Sequence, residues 1–294
     1  MTAQPWDAAL LSRIAHLHLR ARRAVAGWQQ GSHRSQHQNT NIEFADYKEY
    51  APGDPIKHLD WRVAARSDRL VIRRQQAETE VSVTLIVDAS GDIGTGVPDL
   101  DRSKMGAGIV AAATFATFLH RRGDPVGLEI LGGDGCSHPS ISARRTSLAP
   151  IMRTLAEVTP AGRADLADAF ERIGPRLPRR SVAILISDLM EEPSQWAPSV
   201  HALCQRGVDV RVLHLYDPIE WNVEFKESMR LFSPEGGDDL AIDPKVVREQ
   251  MGQVISDYLD EIKAALSHGR ASHFLHGADA GLDSAMRAIL RGRS

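Results

Sequence analysis

Two clusters of carboxylates and hydroxyls stand where apolar runs end. Asp88-Ala89-Ser90-Gly91-Asp92 follows Val81–Val87, and Ser187-Asp188 follows Val182–Ile186. Such a polar cluster at the end of an apolar run is where a site would be. Set close together without a cation, carboxylates raise one another's pKa. Aspartates around a divalent ion can also serve phosphoryl chemistry. The phosphatase loop D-x-D-x-T/V is absent, however, because Ser90 stands two residues after Asp88. Ser90 and Ser187 also lack the flanks of a nucleophile elbow.

The elements that must position these groups can be read from the pattern around them. Val81, Val83, Leu85 and Val87 belong to a short aliphatic, β-branched run, which predicts a buried strand, and Val182–Ile186 predicts another. Ligands of open α/β sheets sit outside the carboxyl ends of the strands. If the two strands are neighbours, Asp88, Ser90, Asp92 and Asp188 converge on one spot. Residues 103–122 predict a helix apolar on nearly every face and hence buried, with Gly106 and Gly108 allowing close approach to the sheet. Strands are expected at Pro125–Leu131 and Val208–Leu215, a returning hairpin strand at 136–141, and a last strand at Ala271–Leu275. Helices are expected at 146–158, 164–176, 193–205, 244–268 and 279–291. This alternation predicts an α/β fold, a Rossmann-like parallel sheet flanked by helices, with right-handed crossovers. An inserted hairpin is expected near 218–243, around Pro234-Glu235-Gly236-Gly237.

The N-terminal part reads differently. Residues 7–28 predict an amphipathic helix whose stripe is Leu10, Ile14, Leu17, Ala21, Ala24 and Trp28. Arg13, His16, Arg20 and Arg23 line a basic stripe beside it, either a solvated face or a surface for peripheral contact with anionic lipid or an acidic partner. Residues 29–43 read as a polar loop, and His33 and His37 lack the helix pattern and glutamate of a zinc pair. Residues 43–74 combine Phe44, Tyr47, Tyr50 and Trp61 with a locally basic 57–74 segment. Arg–Asp pairs holding a small β module account for it, and an anion or partner site is the alternative. The domains expected are 1–79, an N-terminal helix with a small β-containing extension, and 80–294, the α/β domain.

Composition narrows the function classes. The 294 residues are 43% hydrophobic and 25% charged with a net charge of -3, so no global basic field argues for nucleic acid. Cys136 and Cys204 are isolated, which suggests a reducing compartment. No apolar run is long enough for a membrane span and no leader pattern is visible, so a cytoplasmic location is expected. Gly94-Thr95-Gly96 only echoes a dinucleotide loop, with Asp99 where the third glycine belongs, and no P-loop is present.

Together the Asp88–Asp92 loop, the apolar helix after it and Ser187-Asp188 resemble a von Willebrand factor type A domain. More specifically, Glu43-Phe44, Tyr47–Asp54, Asp60–Arg66, Glu78, Gly123–Leu128 and the Asp217–Glu220 stretch resemble the bacterial domain of unknown function 58 family. The resemblance implies a non-catalytic interaction protein, an adaptor or chaperone-like partner of a MoxR-type AAA+ ATPase or its client. It also implies a metal-ion-dependent adhesion site on Asp88, Ser90, Asp92 and Asp188, with magnesium or manganese as cofactor and with Arg163, Asp165 and Ser187 toward the partner. Two positions depart from that pattern: Asp92 replaces the second serine, and Ala164 falls where a threonine is expected. Three outcomes follow: a metal held with Asp92 as ligand, a metal-free site neutralised by Arg163, or a carboxylate of raised pKa. A metal-dependent hydrolase is the alternative function.

Overall fold

A computed structural model describes residues 8–35, 47–50, 63, 70–73, 81–94, 103–132, 140–144, 148–222, 229–231, 240–242 and 244–291. In chain order these form α1 (Ala8–Ser35), β1 (Tyr47–Glu49), β2 (Val71–Arg73), β3 (Val83–Ala89), α2 (Lys104–Arg122), β4 (Val126–Gly132), β5 (Ile141–Arg144) and α3 (Ala149–Glu157). Then come α4 (Leu166–Ile173), β6 (Val182–Ser187), α5 (Pro193–Gln205), β7 (Asp209–Tyr216), α6 (Pro218–Asn222), β8 (Met229–Leu231), β9 (Leu240–Ile242), α7 (Pro244–Gly269), β10 (Ser272–Gly277) and α8 (Asp283–Arg291).

Six strands make one sheet in the order β10-β7-β6-β3-β4-β5. All neighbours are parallel except β5, which returns antiparallel beside β4 at the edge. Counted within the sheet this is the doubly wound order, and it reverses between β3 and β6. That reversal places the carboxyl ends of the two strands side by side and leaves a crevice above them.

The alternation of side chains along each strand divides the core into two layers. Val83, Leu85 and Val87 of β3 face one cluster, with Leu17, Ala21 and Val25 of α1, the apolar residues of α2, Leu155 of α3 and Met286 of α8. Ile86 faces the other, with Phe170 of α4, Trp196 of α5 and Ile262 and Leu266 of α7. A strand covered on both faces must be apolar throughout, and every residue of β3 and of β6 is buried. Helix α2 is buried over most of its length. A Cβ on its Gly108 would lie 3.1 Å from Leu215 and 3.4 Å from Ile186, so the bare glycine lets the helix settle onto the sheet.

Some boundaries differ from expectation. Helix α1 continues to Ser35 through the polar stretch read as a loop, because polarity does not itself break a helix. After Leu17 and Ala21 its buried face continues to Val25, with Ala24 at the margin. The compact units also divide otherwise than at residue 79: residues up to Trp28 group with 81–294, and Gln29–Glu80 form the second unit. Within that second unit β1 and β2 pair antiparallel, and the Tyr50 N–H donates to Leu70 O at 2.8 Å. The expected insertion contains α6 and the antiparallel pair β8–β9. Most of the basic 57–74 segment, and His37, lie outside the described residues.

Gly132 ends β4 with φ +72°, and a Cβ there would stand 2.9 Å from Ser90 N, inside the backbone of the Asp88 loop. Gly132→Ala is therefore expected to cost about 2–4 kcal/mol in urea unfolding. Gly252, in α7, has nothing within 4 Å of such a Cβ. Gly252→Ala is expected to stabilise by up to about 1 kcal/mol through helix propensity alone.

Candidate functional site

The crevice above β3 and β6 holds a cavity of about 350 Å³. Its walls include Asp88, Ser90, Asp92, Ala164, Ser187, Asp188, Glu191 and Glu192, with Arg163 among them. The structure thus brings together the four residues assigned to a metal, with Arg163 and Ser187. Asp165 lies outside this lining and serves instead as the N-cap of α4, accepting from the Asp168 N–H at 2.9 Å.

Local hydrogen bonding fixes each group. Asp88 accepts from the Ser90 N–H at 2.9 Å through Oδ1 and from the Ser187 hydroxyl at 2.6 Å through Oδ2. Ser187, wholly buried, also accepts from the Leu189 N–H at 3.0 Å. Leu189 holds φ +52°, a left-handed conformation that costs a leucine about 1–2 kcal/mol. The Tyr258 hydroxyl of α7 latches the turn by donating to Leu189 O. On the other wall, the Gly91 N–H donates to Gly162 O at 2.8 Å and the Ala161 N–H to Ala89 O at 3.0 Å, tying the Arg163-Ala164 loop to the end of β3.

The decisive group is one that sequence reading passed over. Lys104, the first residue of α2, extends its ammonium to 2.9 Å from Asp188 Oδ2 and 2.9 Å from Glu220 Oε2. The Lys104 and Asp188 side chains are each only 4% exposed. A cation at a helix N-terminus opposes the macrodipole, and burying it costs several kcal/mol more unless it is paired. Lys104 keeps its proton despite burial because Asp188 and Glu220 stand against it, and their charges lift its pKa above the ordinary value. The same ammonium and Arg163 act on Asp92, whose pKa burial and Asp188 nevertheless raise. Lys104 thus stands beside Arg163 as a cation acting on the cluster.

A divalent ion fits this arrangement poorly. One Asp188 oxygen is engaged by an ammonium, both Asp88 oxygens accept hydrogen bonds, and Ala164 offers no side-chain oxygen. Among the described residues, no three histidine, cysteine, aspartate or glutamate side chains group into a metal site. Magnesium requires near-octahedral oxygen coordination, and Lys104 already holds one of the carboxylate oxygens that such a shell would draw on.

Two further carboxylates, Asp88 and Glu191, are protonated unusually easily. Burial and the Asp188 charge push Asp88 up to about 6, against the hydrogen bonds from Ser187 and Ser90. Burial, with Asp165 and Asp88, pushes Glu191 up to about 7, against the Leu166 N–H bond and Arg163. Behind the site, burial and His273 hold His214 down at about 3, so that imidazole is neutral at pH 7. Ser187 gives its hydroxyl hydrogen to Asp88 rather than to an imidazole, unlike an activated nucleophile.

The strand order, with its acidic crest at the switch point, is that of a Rossmann-like α/β domain. The chain belongs to the family described as Protein of unknown function DUF58, which it matches over residues 46–265. The uncharacterized protein Rv1480 of Mycobacterium tuberculosis is 28% identical over 244 residues, covering 81% of this chain and 75% of that protein. Among solved structures, the hypothetical protein BatB of Bacteroides thetaiotaomicron superposes with a TM-score of 0.47 at 15% identity, over 72% of this chain and 97% of its own. The SpRpn10 VWA domain does so with a TM-score of 0.41 at 14% identity, over 70% and 93%.

The raised Asp88 pKa has a signed consequence. Between 3.8, its ordinary value, and about 6 the folded chain holds a proton that the unfolded chain has lost. Stability contributed by this group therefore rises as pH falls through 6 and is lost as pH rises through it. Wild type should gain on the order of 1–3 kcal/mol relative to Asp88→Asn when urea unfolding is moved from about pH 7 to about pH 4. An equal pH response of the two proteins would show that Asp88 is not crowded.

Proposed function

We propose that this chain is a non-catalytic protein-interaction module that docks its partner at the acidic crest, with Lys104 standing in place of an adhesion-site metal. The observation that carries this reading is the buried Lys104–Asp188–Glu220 cluster beside a cavity large enough for a partner side chain. An adhesion site holding a divalent ion attracts a partner's carboxylate. Here the cation is fixed inside the protein and shared between Asp188 and Glu220, while Asp88, Asp92, Glu191 and Glu192 face the cavity. The crest therefore favours a lysine or arginine from the partner, arginine having the fork that matches carboxylates best. Arg163, exposed at the rim, adds selectivity by meeting an acidic neighbour of that side chain.

The partner we propose is a MoxR-type AAA+ ATPase or its client, on the strength of family membership and the resemblance of the crest to an adhesion site. Such a partnership belongs in the cytoplasm, where the ATPase finds its nucleotide. No helix among the described residues is long and apolar enough to cross a membrane.

Binding of the purified protein to the ATPase, followed by biolayer interferometry, is the test. We expect EDTA to leave the affinity unchanged and Asp92→Lys to weaken it by about 10-fold or more, the loss of one close charge pair at an interface. Affinity abolished by EDTA and restored by magnesium would overturn the metal-free reading. Affinity indifferent to Asp92→Lys would remove the crest from the interface.

A further inference from the structure

A second surface lies toward the far end of α2 from Lys104 and is independent of the crest. Helices α1, α2 and α3 enclose an open groove of about 740 Å³. Its apolar lining includes Leu11 and Ile14 of α1, Leu148 before α3, and Met152 of α3. His18, Arg22, His120, Arg121 and Arg153 also line it, and among the described residues none of its lining is acidic. Leu11 is 46% exposed, a large apolar side chain left in water at the groove's edge. On the opposite side of α1, Arg13, His16 and Arg20 line a smaller depression, so the helix carries basic groups on both flanks.

Two features indicate what the groove accepts. Its α1 wall, Leu11, Ile14, His18 and Arg22, follows one helical face for about three turns, roughly 16 Å. That is the footprint of a helix laid alongside, anchored by apolar residues at i, i+3/i+4 and i+7. In addition, the basic side chains at its rim, Arg22 and Arg121 among them, favour an occupant that carries acidic groups.

We infer that this groove docks an amphipathic helix of a partner protein, apolar on the face it buries and flanked by aspartate or glutamate. The apolar face covers Leu11, Ile14 and Met152, and the acidic flanks meet Arg22, Arg121 and the two histidines. The pairing commits the surface to an acidic protein helix rather than to a lipid headgroup.

The test uses synthetic helical peptides of about 18 residues with leucine at i, i+4, i+7 and i+11 and glutamate on both flanks, read by fluorescence anisotropy. A matched set carries lysine in place of glutamate, and phosphatidylserine vesicles form the third arm. We expect saturable binding of the glutamate peptides, weakened at least about 10-fold in Leu11→Asp and in Arg121→Glu. Both substitutions are at exposed positions, so the fold tolerates them. Asp92→Ala at the crest should leave binding intact. No binding by any glutamate peptide, equal binding by the lysine set, or binding to vesicles alone would overturn the proposal.

Discussion

A buried ammonium against two carboxylates is the constraint around which the crest is organised. Lys104 stands at the first position of α2, where the helix dipole disfavours a cation, and its head is withdrawn from water. Both penalties are offset only because Asp188 ends β6 and Glu220 lies on α6, each 2.9 Å away. Three separate parts of the chain must therefore arrive together, and removing any one strands a charge in a poorly solvated place. Such an arrangement is not an efficient source of stability, since apolar replacements often serve as well. What it does is set the electrostatics of the crevice from within the protein.

The fold supplies the rigidity this requires. Parallel strands covered on both faces hold Asp88 and Asp188 at adjacent strand ends, and the hydrogen bond from Ser187 to Asp88 crosses directly between them. The turn after Asp188 is held in a left-handed conformation at Leu189, locked from α7 by Tyr258. Strained backbone of this kind persists where the surroundings over-determine it, and it is concentrated at functional sites. Helix α2 connects the two surfaces of the protein: its first residue serves the crest, and its later turns, with α1 and α3, form the basic-rimmed groove.

How much of this was legible from residues alone depended on range. The strands β3 and β6, the buried helix between them and the convergence of Asp88 with Asp188 follow from local patterns of period two and 3.6, together with the rule that sites form at strand ends. Ala164 could likewise be recognised as a missing oxygen. Lys104 could not be assigned in the same way, because a lysine beginning a helix is ordinarily solvated. The one available signal was its placement against the dipole in front of an otherwise apolar helix. Glu220 and Tyr258 reach the site from more than thirty residues beyond β6, through contacts that no periodicity encodes. The end of α1 was misread for a different reason. Residues 29–35 carry no apolar stripe, and a helix without one leaves no periodic trace even when it forms.

The most direct measurement is isothermal titration of magnesium and manganese into the purified protein, beside Asp188→Ala. If Lys104 takes the cation's place, wild type shows no saturable heat with either ion. Stoichiometric binding in wild type that disappears in Asp188→Ala would mean that the ammonium yields to a metal, and would contradict the internal-cation reading of the crest.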